Sequence, residues 1–560
     1  MGSKTKSERL KRLISHGFFA PELPPCFVSN DLSKYRKSIL SGINALPPSK
    51  GKPNKFSFIS EPAWFYYPRF NKNDRRHGTP NPISHLLLAQ EIANNYIALR
   101  KIAKLSKISA SPPVFDWSGP RALVRPSIDL RDDFRIDLSS RREEFVSTDI
   151  RAFFHSIYTH SIPWAIYGKE WAKANRGYAH YGNVIDLYCR NSQDGQTLGL
   201  PVGPDTSRLL AEIIASAIDS RICVELKLQG RDASRYIDDY TISSPNGVTG
   251  EAIIAKLRQE TSNFELELSR EKTEIIPTST RQETGWKDAI RAHIPRSQNP
   301  TDEEIQRFFY EIGRICSSHP DLNVEKYAYQ NARIALLRAS NWKKTQNLLI
   351  NGYRRNPSLI ALLVELLLLR QKSENDVDLH LVKEFIESRI KNLTDSNRTG
   401  EIIWMIFCAI RLNIVIPSKS LQPLFEISNS FIATLIILAN SRGIIEGAID
   451  KSHWNKSLNS DGLRGQMWLY AYETVSSGIN SGTSDAFINS DPYFKLLHSK
   501  GIRFLDAGSG LQSMSRVLQI LRSTNRRMQL IRDDFDDDFE IELEEVGEDN
   551  EVDDLWDGEY

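Results

Sequence analysis

SRYIDDYTISS (234–244) decides how the rest of this sequence is read. Apolar and β-prone residues flank two adjacent acids, the pattern of a hairpin whose turn is acidic. Two carboxylates held together at a tight turn repel each other unless a cation sits between them. Mg²⁺ suits such a place, being a hard ion content with one or two carboxylates plus substrate phosphates. Tyr-x-Asp-Asp is a short pattern and carries little weight alone, so its neighbours along the chain matter.

Upstream, EFVSTDIRAFF (144–154) ends a β-prone run on Asp149. An acid at a strand's C-terminal end is placed to reach a neighbouring hairpin turn, although Asp149 would serve equally as a helix N-cap before IRAFF. Between the two lies QTLGLPVGPDTSRLLAEI (196–213), in which Gly199 and Gly203, with Pro201 and Pro204, allow close backbone approach and Ser207 opens an amphipathic helix. Downstream, FELELSREKTEIIP (264–277) reads as a helix end and a strand with Lys272 between them. Strand-like and helical runs thus alternate through this region.

Working outward, four regions separate: 1–140, 141–285, 286–532 and 533–560. The first mixes short apolar segments with Pro-rich joints such as PELPPCF and ALPPSKGKP, and is rich in Arg and Lys. The third reads as almost wholly helical, with amphipathic segments parted by short turns, which fits stacked helix pairs although no clean fixed period repeats. A chain of 560 residues exceeds what one hydrophobic core usually supports, so two or more domains are expected. LIALLVELLLL (359–369) and IIWMIFCAI (402–410) are too short to span a bilayer and read as buried helices of a soluble protein. The basic N-terminus has no signal-peptide core, and the five scattered cysteines form no metal or disulfide framework, so a cytoplasmic location is expected.

The net charge of +2 conceals an asymmetry. Residues 533–560 hold 16 Asp and Glu and no Lys or Arg, a like-charge block expected to be disordered. Setting them aside leaves 72 basic against 54 acidic residues, a body of about +18. Such a body predicts a polyanionic partner, with nucleic acid the leading candidate.

Taken in order, Asp149 with Phe154, GLPVG with Ser207, Tyr236-Ile-Asp-Asp239 and Lys272-Thr273 resemble the palm of reverse transcriptases. FFAPELPPCF (18–27), RRHGTPNPI (75–83), FFHSIYTHSIPWAIYGK (153–169) and GLPVGPDTSRLLAEI (199–213) look like the abortive-infection (AbiK- and AbiA-like) reverse transcriptases among the bacterial defence-associated group. The resemblance implies an α+β polymerase with fingers (1–140) and palm (141–285), then an all-α, HEAT-like helical-repeat domain (286–532) and the acidic tail. It implies that Asp149, Asp238 and the carbonyl of Ile150 hold two Mg²⁺ ions (Mn²⁺ being an alternative), with Asp239 supporting. It also implies that Phe154 excludes a 2′-hydroxyl and so favours dNTPs, and that Lys272 neutralises or protonates the leaving pyrophosphate. Gly199, Val202, Gly203 and Ser207 would line the dNTP site, with Arg69, Arg75 and Arg76 gripping the triphosphate.

Family resemblance further implies DNA made without a conventional template, priming from a protein tyrosine, and a homo-oligomer or a partner defence protein. Val202 departs from the Gln that ordinary reverse transcriptases carry in this loop, and Arg208 from the Pro that commonly follows the Ser; both weaken the link to a template. Tyr35, in DLSKYRKS, and Tyr560, at the tip of the tail, are the candidate priming tyrosines. Two alternatives stay open: an RNA-templated enzyme using a cellular or associated noncoding RNA, and a nucleic-acid-sensing module on a polymerase fold. No membrane association is expected.

Overall fold

The structure, a computed structural model, describes residues 4–48, 53–125, 129–243, 248–278 and 285–508. The acidic tail 533–560 and Tyr560 lie outside the described residues. Two strands near the N-terminus, β1 (Ala63–Arg69) and β2 (Lys72–Thr79), pair as an antiparallel hairpin. Four more, β3 (Glu144–Asp149), β4 (Ala233–Tyr236), β5 (Asp239–Ser243) and β6 (Glu274–Pro277), form an antiparallel sheet in the order β4-β5-β3-β6.

Strand alternation sorts the residues of this sheet onto an apolar and a polar face. Val146, Tyr240 and Ile242 are fully buried on one face. There the Tyr240 hydroxyl donates to Asp219 at 2.9 Å, tying the sheet to the Asp205–Glu225 helix. Ser147, Asp149, Asp239 and Thr241 occupy the other face, and the register sets Asp149 directly opposite Asp239. Helix Asp129–Ser139 reaches this second face: Arg135 donates to Thr241 Oγ1 at 3.3 Å and to Ser147 Oγ at 3.2 Å.

The composition switch near residue 285 is not a break in the core. Buried apolar residues from Leu10 to Phe504 form one continuous cluster. A lone two-stranded hairpin is marginal in water, and the β1–β2 hairpin is covered by helices from the C-terminal part. Thr399 Oγ1 accepts from Tyr66 N at 2.8 Å, and Asn429 Nδ2 donates to the Trp64 carbonyl at 2.9 Å. Gly400 makes this approach possible, since a Cβ there would stand 2.5 Å from the Tyr66 carbonyl oxygen. Farther along, Trp404 Nε1 donates to the Glu22 carbonyl at 2.7 Å, and Val28 N donates to the Phe504 carbonyl at 2.9 Å.

The apolar run 402–410 lies within helix Thr399–Leu412, and most of 359–369 within helix Ile360–Ser373; both are buried nearly all round. Among the described residues, no helix is long and apolar enough to cross a membrane. All five cysteines are free thiols.

Candidate active site

The turn between β4 and β5 consists of Ile237 and Asp238, and Ile237 has φ +58°. A β-branched residue in the left-handed region is strained, and it persists only where its surroundings over-determine it. Here they do. Ile237 N donates to Ser111 Oγ at 3.0 Å, and its carbonyl accepts from Arg235 at 2.7 Å. Arg235 is wholly buried and forks onto two carboxylates of the Asp205–Glu225 helix, Glu212 at 2.7 and 3.0 Å and Asp219 at 2.9 and 3.0 Å. Ser109 and Ser111 complete Glu212, while Ser106 and Tyr240 complete Asp219. A buried ionic network of this kind is rigid when every member is satisfied. Its consequence is a fixed hairpin tip that presents Asp238.

Asp149 is buried at the end of β3, and its Oδ1 has no hydrogen-bond partner. Its Oδ2 is paired with the Lys272 ammonium. Burial alone would lower the Lys272 pKa, but the bond to Asp149 and the nearby Asp239 and Asp238 carry it above its usual value, so the side chain remains a cation. Burial and the neighbouring Asp239 and Asp149 carboxylates push Asp238 up to about 7. Asp239 turns away, meeting Arg131 at 3.4 Å.

An orphaned buried oxygen beside a carboxylate that resists ionisation is a demand for positive charge, and the all-oxygen donor set fits a hard divalent ion. Among the described residues no three acidic, His or Cys side chains already form a metal-binding cluster. The oxygens that would hold such an ion are those of Asp149, Asp238 and the Ile150 carbonyl, Asp149 offering its unpartnered Oδ1.

A cavity of about 760 Å³ opens in front of these groups. Asp149, Ile150, Asp238 and Lys272 line it from the palm side, and so does Phe154. Gly199 and Val202 contribute the loop wall, and Arg69, Arg75 and Arg76 come from the β1–β2 hairpin. The hairpin and loop are joined directly, Gly78 N donating to the Val202 carbonyl at 3.0 Å.

Other sequence candidates fall elsewhere. Gly203, at φ +128°, packs on the N-terminal segment, where a Cβ would come within 2.6 Å of Ala20 Cβ. Ser207 is buried in the first turns of its helix. Neither lines the cavity, nor does Asp239. Tyr35 lies in helix Asn30–Ala45, half-buried against the core, with Lys34 Nζ 5.0 Å from its ring centre, and it too is not part of the cavity wall. Arg208 donates to the Val124 carbonyl at 2.6 Å, a structural use for the residue that departs from the usual Pro.

Sequence reading passed over three residues. Arg235 carried a signal, a charge inside a β-prone run, but the partners that give it meaning lie on a distant helix. Trp64 and Gln466, both lining the cavity, carried none.

Residues 94–288 match the family model described as reverse transcriptase (RNA-dependent DNA polymerase). This segment is a reverse-transcriptase domain. It spans about a third of the chain and contains Asp149, Asp238, Asp239, Glu212 and Asp219, while the β1–β2 hairpin and Gln466 lie outside it. The reverse-transcriptase domain makes the chain a nucleotidyltransferase of the RNA-directed DNA polymerase type. Among solved structures, the chain is similar to telomerase from Candida albicans in complex with a TWJ fragment of telomeric RNA, at 12% identity over 66% of this chain and 67% of that one, with a TM-score of 0.26. No curated protein matches the chain.

Proposed function

We propose that this chain synthesises DNA from dNTPs with Mg²⁺, or Mn²⁺ in its place, without a conventional nucleic-acid template and with a protein tyrosine as primer, in bacterial antiphage (abortive-infection) defence. The observation that carries the reading is one cavity lined jointly by Asp149, Asp238, Phe154, Val202 and the three hairpin arginines.

Each residue has a chemical task there. Arg69, Arg75 and Arg76 bind the triphosphate, an anion that guanidinium groups match in charge and geometry. Phe154 occupies the space that a 2′-hydroxyl would need. Lys272, a cation close to the carboxylates, neutralises or protonates the departing pyrophosphate once Asp149 lets it go. Asp149, Asp238 and the Ile150 carbonyl hold the divalent ions, which when bound supply a lowered pKa at the attacking hydroxyl and charge neutralisation at the leaving group. Val202 is apolar and buried, so the loop offers no side-chain hydrogen bond where the resemblance places a Gln. That supports synthesis that does not depend on a template pair.

The defence role, the HEAT-like reading of the helical part and a homo-oligomeric or partnered state rest on the resemblance of segments 18–27, 75–83, 153–169 and 199–213. DNA is the expected product, and a noncoding RNA the expected partner should a template be used. Purified chain is incubated with dNTPs and Mg²⁺, then partitioned in phenol with and without DNase. DNA held at the protein phase is expected, and it should vanish with Asp238→Ala plus Asp239→Ala, together with phage protection. Polymer that appears only with added or co-purified RNA would replace the untemplated reading with the templated one.

A further inference from the structure

A second cavity of about 170 Å³ adjoins the first. Trp64, Arg76 and Gln466 line both cavities, whereas none of the carboxylates lines the second. These three residues therefore stand where the two cavities meet. There the Arg76 guanidinium lies 3.7 Å from the centre of the Trp64 ring. Trp64 thus sets an indole, a flat and polarisable surface of the kind that receives a nucleobase, beside the phosphate-binding guanidinium.

Among the described residues, Gln466 is the one lining residue of the large cavity that comes from beyond residue 285. It sits in the short connection between helices Ser460–Arg464 and Trp468–Ser476. Among the described residues its amide has no hydrogen-bond partner, although the backbone carrying it is tied down on both sides. Asn81 Nδ2 donates to the Leu463 carbonyl at 2.8 Å, and Glu61 N donates to the Arg464 carbonyl at 2.7 Å. Arg464 itself binds Asp491 at 2.7 and 3.1 Å, and Trp468 Nε1 reaches the Thr79 carbonyl at 3.4 Å. A surface glutamine with no task needs no such anchoring. This one is a planar amide, one donor face and one acceptor face, delivered at fixed position to the wall of a nucleotide-sized cavity.

We infer that Gln466 contacts the edge of the incoming nucleobase and sets which dNTP the site prefers, so that a side chain of the helical part does what pairing with a template base does elsewhere. The inference rests on the dNTP reading above and adds a source of base selectivity to it. The favoured base is adenine, whose adjacent donor and acceptor match a glutamine amide in a two-bond contact.

Equilibrium binding of each of the four dNTPs to the full chain, with Ca²⁺ as a non-turnover ion, tests this without a primer. Wild type is expected to bind dATP most tightly. Gln466→Ala is expected to erase about tenfold of that preference, bringing the four affinities together, and Gln466→Glu, which only accepts, to favour dCTP. A merely structural role would scale all four affinities by the same factor, and that outcome, or no change at all, overturns the inference. A chain that makes DNA but whose dNTP ranking ignores residue 466 sinks the inference alone. A wild-type chain that binds no dNTP in the presence of metal sinks the dNTP reading, and the inference with it.

Discussion

A ribose differs from a deoxyribose by a single oxygen, and a bulky ring packed where that oxygen would go has no room for it. Phe154 is buried and meets the Phe153 ring at 5.7 Å, so its own ring is wedged rather than free to swing aside. Phe154→Ala is expected to reduce the preference for dATP over ATP by at least about tenfold in kcat/KM. Equal preference in variant and wild type would remove Phe154 from nucleotide choice. Asp149, Asp238, Phe154 and Lys272 stand in short segments that single them out locally, and all four line one cavity. Gly203 and Ser207 show the limit of that logic. They share a segment with Gly199 and Val202, yet a helix start and a glycine contact turned them into packing residues. Gln466 lay beyond reach altogether, since nothing around it signals a neighbour some four hundred residues away at Trp64.

The β4–β5 hairpin was legible as a hairpin, but not as a strained one. Its turn holds Ile237 at positive φ, and the force that keeps it there comes from Arg235, Glu212 and Asp219, two of which sit on the helix underneath. Removing the guanidinium leaves two buried acids with no counter-charge, which is far more damaging than losing an exposed ion pair. Arg235→Met is therefore expected to lower unfolding stability by about 3–5 kcal/mol, read from urea denaturation. A loss under about 1 kcal/mol would show that the network does not hold the hairpin. The β1–β2 hairpin makes the complementary point. Its arginines stand out in the sequence as a cluster of charge and line the cavity, whereas its dependence on helices Thr399–Leu412 and Ser430–Ser441 was not readable, because cover supplied from so far along the chain leaves no local pattern.

Those long-range contacts gather at one place. Phe18 packs on His85 at 4.6 Å, on Trp468 at 6.2 Å and on Phe504 at 6.1 Å, so the N-terminal segment, the Pro82–Ala103 helix and the C-terminal part meet around these rings. The division at 285 was drawn from composition, and composition is silent about which surfaces pack together. A junction of this kind has a measurable pH signature. His85 is wholly buried, with the Leu13 carbonyl at 3.3 Å its one hydrogen-bond partner among the described residues, and burial holds its pKa down to about 4, against 6.5 when exposed. As pH falls through 6.5 towards 4 the unfolded chain takes up a proton that the folded chain refuses, so stability present above 6.5 is lost across that window. His85 should thus account for a loss of about 2 kcal/mol between pH 7.5 and pH 5. Burial also lowers His77 to about 4 and adds to the same trend, whereas Glu473, raised to about 7 by burial, opposes it. Comparison with His85→Leu isolates the single residue: the variant's unfolding free energy should fall less on acidification, by that same amount. Identical pH slopes for the two proteins would mean that His85 is not buried neutral, and that the three parts of the chain do not close around it.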